Sequence, residues 1–283
     1  MKKVLLKRTS RSDDSATSGR PAIGMPATTI YSNSFETATA DNDTFGGIFS
    51  AIRVASGTHG IPSASGGFHA ENSRCGSAFR WGGYNFGAGN AVPTPFEEYS
   101  TSVAIYLDVD GGWANHTRFD FDSAINNAAG SYMRDFFFNA GFYHASDGSP
   151  GSGTARFVLS ASTKSQPGNA DPKHPDKTPI AISTTGWYTF VHHFHEHAGL
   201  LVVDMSIFGA SGDRVKTWTI RTADRIAGVG GNGYGWFNFN QFSTLAFDDL
   251  QLRTHTARLP LRAAGHWSHR AQHCTSRQDH TGV

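Results

Sequence analysis

Between residues 29 and 252 the chain alternates apolar and polar positions with a period of two, interrupted by clusters of Gly, Asn, Asp and Ser. That period belongs to strands, because successive side chains of an extended backbone leave on opposite faces. In 99–108, Thr101, Val103, Ile105 and Leu107 share one face; in 117–122, Phe119 and Phe121 oppose Asp120 and Asp122. Residues 187–194, 200–208 and 214–220 are β-branched and aromatic runs joined by Ala198-Gly199 and by Ser211-Gly212-Asp213, the spacing of a three-stranded meander. Residues 132–142 and 155–159 predict further strands. One short helix is predicted over 222–229, with Thr222 as its N-cap. The turn residues of 146–153, and 164–177 with its three prolines, predict long loops, since Pro is excluded from central strands. The whole pattern predicts an all-β sandwich or barrel.

Composition adds boundaries. Aromatic residues are 12% of the 283, and 21 are Phe, enough apolar bulk for a core without disulfide bonds. Residues 1–28 and 253–283 lack the alternation and are rich in polar and basic residues, which predicts a flexible leader, one domain over 29–252, and a flexible basic, His-rich tail. The net charge of +1 conceals thirteen basic and twenty acidic residues in 21–252. An acidic body argues against a nucleic-acid partner, which would demand a basic stripe. No apolar run reaches the ~18 residues of a membrane-spanning helix. Lys7 and Arg8 cut short the apolar start at 4–6, so no export signal is expected in this chain. Cys75 and Cys274 stand in no metal-type spacing. Nothing in the sequence reports on oligomeric state.

Several groups of residues carry chemistry. Residues 192–197 read His-His-Phe-His-Glu-His. In a strand His193, His195 and His197 fall on one face, and imidazoles so placed suit a zinc-like ion or proton transfer. The adjoining Ala198-Gly199 turn makes this a strand end, where exposed histidines without a task are common. His192 and His193 lie deeper, and a hydrogen-bonded structural role competes with a site role for both. Arg80-Trp81-Gly82-Gly83-Tyr84 and Gly111-Gly112-Trp113 set large aromatics among glycines, as does Tyr234-Gly235-Trp236. Flat rings of this kind stack on sugars when exposed, and otherwise join the core, as is expected of Trp187. In 132–139 Arg134 shares a face with the even positions, while Asp135 and Asn139 take the other. Asp120 and Asp122 share a face but lack further acidic partners. No phosphate loop, dinucleotide fingerprint or nucleophile elbow occurs.

Ser34-Phe35-Glu36 near the domain start, Gly186-Trp187-Tyr188-Thr189-Phe190 opening a late strand, the meander ending at Ser211-Gly212-Asp213, and Ala246-Phe247-Asp248-Asp249-Leu250 near the end resemble the concanavalin A-like lectin/glucanase superfamily, with its laminin G-like branch nearest. The resemblance implies a jelly-roll β-sandwich of two antiparallel sheets. It implies a structural Ca²⁺ between the first and last strands, held by Glu36 with Asp248 or Asp249 through hard oxygen ligands. It also implies a secreted or cell-surface role. The fold hosts binding modules and polysaccharide-degrading enzymes alike, so the residues must decide. The acidic runs of its glucanases and the Arg-rich runs of its lyases are absent. The leading expectation is non-catalytic binding of a polysaccharide or glycan by Trp81, Tyr84, Trp113, Arg134, Asn139 and His193. The alternatives are a lyase or glycoside hydrolase working through Arg134, Asp135 and His192, and an adhesive surface module without a glycan ligand.

Overall fold

The computed structural model describes residues 27–37, 51–73, 84–85, 96–163 and 171–255. Within them the chain forms fourteen strands: β1 (Thr28–Asn33), β2 (Ala51–Ala55), β3 (Phe68–Asn72), β4 (Tyr84–Asn85), β5 (Tyr99–Leu107), β6 (Arg118–Asn127), β7 (Tyr132–Tyr143), β8 (Arg156–Thr163), β9 (Ile180–Ile182), β10 (Gly186–His197), β11 (Leu200–Gly209), β12 (Arg214–Arg225), β13 (Val229–Asn238) and β14 (Leu245–Thr254). One sheet has eight strands in the order β12-β11-β10-β5-β14-β3-β2, with β1 also on β14; the other has six, in the order β4-β13-β6-β7-β8-β9. All pairings are antiparallel. The alternation predicts a sandwich or barrel and the resemblance a jelly roll, and the two antiparallel sheets match the sandwich that the resemblance implies. Among the described residues no helix is long and apolar enough to cross a membrane.

The alternation is spent on a core between the sheets. Val103, Ile105 and Leu107 of β5, Phe119 and Phe121 of β6, Phe136 and Phe138 of β7, and Phe190 and Phe194 of β10 are all fully buried. Rings from opposite sheets meet edge to face or tilted: Phe138 and Phe190 stand 5.1 Å apart between centroids, and Phe237 and Phe247 5.4 Å. Each such contact adds about 1 kcal/mol beyond the area it buries. The meander appears as β10, β11 and β12, adjacent in the sheet and in sequence.

Three expectations are corrected. Residues 222–229 form no α-helix: β12 runs to Arg225, and only a single 3-10 turn, Ile226–Gly228, precedes β13. Alternating burial along β12 shows that pairing with β11 overrode a local helical preference. The sheet also claims Arg253 and Thr254, which the composition places in the tail. Trp187 is not a core residue. It shares the outward register of β10, and its Nε1 donates to Pro62 O at 2.7 Å, in the β2–β3 connection.

Strand β14 changes partner along its length. Residues 245–247 pair with β3 and residues 250–254 with β1. The change is marked by a register shift against β5 after Asp248 and by a left-handed backbone at Asp249, φ 48°. The first and last strands therefore lie side by side, and Glu36, Asp248 and Asp249 gather around the turn before β3.

Candidate functional site

The outward side of the six-stranded sheet carries two rows of polar residues set by register. In the first row Asn238 of β13, Asp120 of β6, Asn139 of β7 and Ser160 of β8 lie side by side. In the second, Asp122 of β6 and Ser162 of β8 lie in register on either side of Phe137. Inward neighbours Phe119, Phe121 and Phe138 fix this orientation, since alternation leaves the aspartates no other face. The polar groups are joined. Asn139 Nδ2 donates to Asp120 Oδ1 at 2.9 Å, Ser162 Oγ donates to Asn139 Oδ1 at 2.7 Å, and Lys177 Nζ donates to the same oxygen at 3.2 Å. In parallel, Asn238 Nδ2 donates to Asp122 Oδ2 at 2.8 Å.

These side chains form a floor rather than a surface. Asp120, Asp122, Asn139, Ser160 and Ser162 are buried, while Asn238, Arg118 and Lys177 are partly exposed around them. Burial raises the Asp120 carboxyl above its ordinary value, against the hydrogen bond from Asn139 and the charges of Arg118 and Lys177. Burial likewise lowers the Lys177 ammonium. Ser160 Oγ and Arg118 Nε are buried with no hydrogen-bond partner among the described residues. Orphaned buried polar atoms are uncommon in folded proteins and point to an unseen partner.

At the end of β13 the chain turns sharply. Phe239 holds a left-handed backbone, φ 52°, and leaves its ring 71% exposed. A bulky residue in that conformation is unusual and costs about 1–3 kcal/mol. The flanks are firmer. Arg156, fully buried, donates to Pro150 O at 2.6 Å, Thr154 O at 2.8 Å, Asp147 Oδ1 at 2.7 Å and Ser149 Oγ at 2.7 Å, which organises the turns of 146–153. Burial would raise the Asp147 carboxyl, but hydrogen bonds from Ser149 and Lys173 hold it well below the usual carboxylate range.

The residues predicted from sequence fall in different places. Asn139 and the backbone of Tyr84, paired with Asn232, belong to the six-stranded sheet. Trp81 lies outside the described residues. Trp113 is half-buried, its Nε1 bonded to Asp108 O at 2.9 Å and its ring against Phe242 at 5.1 Å. Gly111 allows that fold-back, since a Cβ there would stand 2.5 Å from Trp113 Nε1. The glycines thus tuck this indole in rather than display it. Arg134 reaches across the sandwich to Asp224 of β12, Nε to Oδ2 at 2.8 Å. Asp135, on the outward face, accepts from Tyr132 Oη at 2.8 Å.

His192 is fully buried among Phe121, Phe138 and Phe194, with Nε2 2.9 Å from Phe136 O. Burial lowers its pKa to about 3. An imidazole so enclosed cannot touch a polymer, and Arg134, Asp135 and His192 point to three separate environments. They do not assemble as a catalytic group. His193 lies on the outward face of the other sheet, Nε2 2.7 Å from Glu98 Oε1.

Glu36, Asp248 and Asp249 do converge. Glu36 accepts from the Gly67 and Phe68 amides, Asp248 from those of Ala64, Ser65 and Asp249, and Asp249 from Ser65 Oγ. Burial raises Asp248 to about 7. The carboxylate oxygens thus face amide and hydroxyl donors, and a shared calcium would have to displace them. The residues present close this corner with hydrogen bonds and do not fit the ion as they stand.

Sequence reasoning missed Phe239, Lys177 and the cross-strand pairing of Asp with Asn. Phe239 stands beside Asn238 and Asn240, ordinary turn residues that gave no sign of a displayed ring. The Asp–Asn pairs depend on register between strands far apart in sequence.

No protein-family model matches this chain, and no curated protein matches its sequence. Solved structures with a similar backbone include the CBM2 module of the evolved Dit of Lactobacillus casei BL23 phage J-1 (9% identity, TM-score 0.38, 84% of this chain and 100% of that one). Others are basic winged bean lectin with Tn-antigen (10%, 0.42, 81% and 98%) and peanut lectin with a nonamer peptide (11%, 0.39, 81% and 97%). At these scores the similarities transfer neither ligand nor site, and the likeness rests at the level of the two-sheet fold that the strands themselves display.

Proposed function

We propose that this domain is a non-catalytic carbohydrate-binding module. It would recognise an extracellular or cell-surface glycan on the outward face of the six-stranded sheet. The observation that carries the reading is the pair of cross-strand carboxylate–amide couples, Asp120–Asn139 and Asp122–Asn238, beside the exposed ring of Phe239. Asn238, partly exposed, offers its amide to a sugar hydroxyl, and its bond to the buried Asp122 above the Asp120–Asn139 floor holds it in place before a ligand arrives. Phe239 supplies an apolar platform for a sugar ring, and the partly exposed Asn238, Arg118 and Lys177 supply polar groups around it. Lys177 favours glycans bearing carboxylate or sulfate groups.

One observation favours hydrolysis as a second reading. Asp120 and Asp122 share a face two residues apart on β6, and glycosidases work through a pair of carboxyl groups. The raised Asp120 carboxyl suits a general acid.

Affinity electrophoresis against neutral and acidic polysaccharides, with the gels then stained for polymer, separates the readings. Retardation without clearing, lost in Phe239→Ala and Asn238→Ala, is the expected result. Clearing that vanishes in Asp120→Asn would establish the hydrolase instead. Free migration throughout would leave the adhesive module.

A further inference from the structure

The outward face of the eight-stranded sheet carries a second cluster, independent of the glycan reading. Alternation along β10 buries His192 and Phe194 and turns His193 and His195 outward together, their rings stacked at 5.1 Å and 27°. Directly opposite His193 in the register of β11 stands Asp204. Its Oδ2 lies 3.2 Å from His195 Nε2, and its Oδ1 accepts from Thr219 Oγ1 on β12 at 2.5 Å. One donor atom from each of His193, His195 and Asp204 lies within 4.8 Å of the other two. Glu98, just ahead of β5, places Oε1 2.7 Å from His193 Nε2. The ring of His255, following β14, lies 5.0 Å from that of His193.

We propose that His193, His195 and Asp204 bind a divalent transition-metal ion, with zinc as the reference ion. Two imidazole nitrogens and one carboxylate oxygen are a donor set that borderline ions prefer and that Ca²⁺ and Mg²⁺ do not. The geometry is nearly formed. Around a tetrahedral ion with bonds of about 2.0–2.1 Å, neighbouring ligand atoms stand roughly 3.3 Å apart, and the His195–Asp204 contact is already at 3.2 Å. Bringing in His193 takes side-chain rotation alone, because strand pairing fixes all three backbones. The ligand side chains are a quarter to a third exposed, so an ion enters from solvent. Thr219 orients the ligating carboxylate. Glu98 stands beside His193 in the place of a fourth oxygen ligand or of the carboxylate that orients a ligating imidazole. The ion would join β10 to β11 and, through Glu98, to the start of β5.

The test uses the full chain. Its tail carries four further histidines and Cys274 in sequence, so the readout is the difference between variants. Zinc titration by calorimetry is run on the wild type, His195→Gln, Asp204→Asn and the control His197→Gln. The control alters an exposed residue of the same strand outside the cluster. The expected result is one equivalent of zinc fewer in each cluster variant and none fewer in the control. A hundredfold excess of zinc over its Kd should raise the unfolding midpoint of the wild type and the control by several degrees, with Mg²⁺ raising neither. Co²⁺ gives a spectroscopic check, its visible absorption being lost in His195→Gln and kept in His197→Gln. Equal stoichiometry in wild type and His195→Gln would overturn the proposal, as would a cobalt spectrum that His195→Gln leaves intact. Metal-free midpoints close to wild type in the cluster variants, expected because exposed pairs contribute only about 0–1 kcal/mol, exclude misfolding as the cause.

Discussion

The two outer faces of this sandwich are made by the same alternation, yet from opposite kinds of polar group. On the six-stranded sheet most outward polar residues are carboxylates, amides and hydroxyls that bond one another and lie buried, with Asn139 serving Asp120, Ser162 and Lys177 at once. On the eight-stranded sheet they are imidazoles, each facing a carboxylate, and they stay within reach of water. The first arrangement is rigid because removing one member leaves others unpaired in a place water does not reach. The second consists of pairs that solvent can replace. A floor of the first kind suits holding exposed neighbours such as Asn238 and Phe239 in fixed positions for a sugar, and pairs of the second kind suit an ion that exchanges with solvent.

The largest expected effect falls on the first face. Arg156→Ala removes a fully buried guanidinium that donates to three backbone carbonyls as well as to Asp147 and Ser149. Breaking such a network should lower stability by about 3–5 kcal/mol in chemical unfolding. The turns of 146–153 should loosen and glycan retardation should weaken, while the zinc response of the other face persists at temperatures where the variant is folded. Loss of both responses in the folded variant would show that the two faces are not separable.

A smaller effect distinguishes the inside of β10 from its outside. His192 has its pKa lowered to about 3 by burial, whereas an unfolded histidine titrates near 6.5. Between these values the unfolded chain binds the extra proton, so this group's contribution is complete above pH ~6.5 and is lost as pH falls toward 3. His192→Phe places a ring of similar breadth among Phe121, Phe138 and Phe194. The difference in unfolding free energy between wild type and variant should shift by about 1.4 kcal/mol per pH unit from pH 6.5 to 4.5, against the wild type. A constant difference over that range would mean that water reaches His192 in the folded protein.

How far the sequence foretold all this follows from what alternation encodes. Period two located the strands β5, β6, β7, β10 and β11 to within a few residues, and it separated Arg134 from Asp135 and Asn139 correctly. It cannot encode partners. Asp122 meets Asn238 across 116 residues, and Asp204 faces His193 only once the meander has closed in one register. The predicted helix at 222–229 failed for the same reason, since pairing with β11 is invisible in a local window. Trp113 and Phe239 show a further limit. A glycine beside an aromatic reads as exposure, yet Gly111 makes room for Trp113 to fold inward, while Phe239 is displayed by a strained backbone between two asparagines. Where calcium was expected, the fold does bring Glu36, Asp248 and Asp249 together on neighbouring segments. The local pattern gave no sign that the amides of 64–68 would bond Glu36 and Asp248 and the Ser65 hydroxyl Asp249.

The smallest effect tests whether the faces communicate through the sandwich. Arg134 leaves β7 of the six-stranded sheet and meets Asp224 on β12 of the eight-stranded sheet through two contacts, at 2.8 and 3.2 Å. The hydrogen bond to Asp224 comes first among the influences that raise the guanidinium above its usual range. Both side chains are about a fifth exposed, so water screens the pair, and Arg134→Ala should cost only about 1 kcal/mol in thermal unfolding. Arg134 leaves the face of β7 opposite to Asn139, and Asp224 is no member of the His193 cluster, so glycan retardation and zinc stoichiometry should both match the wild type. If retardation falls as far in Arg134→Ala as in Asn238→Ala while the variant remains folded, the spacing between the sheets sets the shape of the polar floor, and the face cannot be treated as a property of β6, β7, β8 and β13 alone.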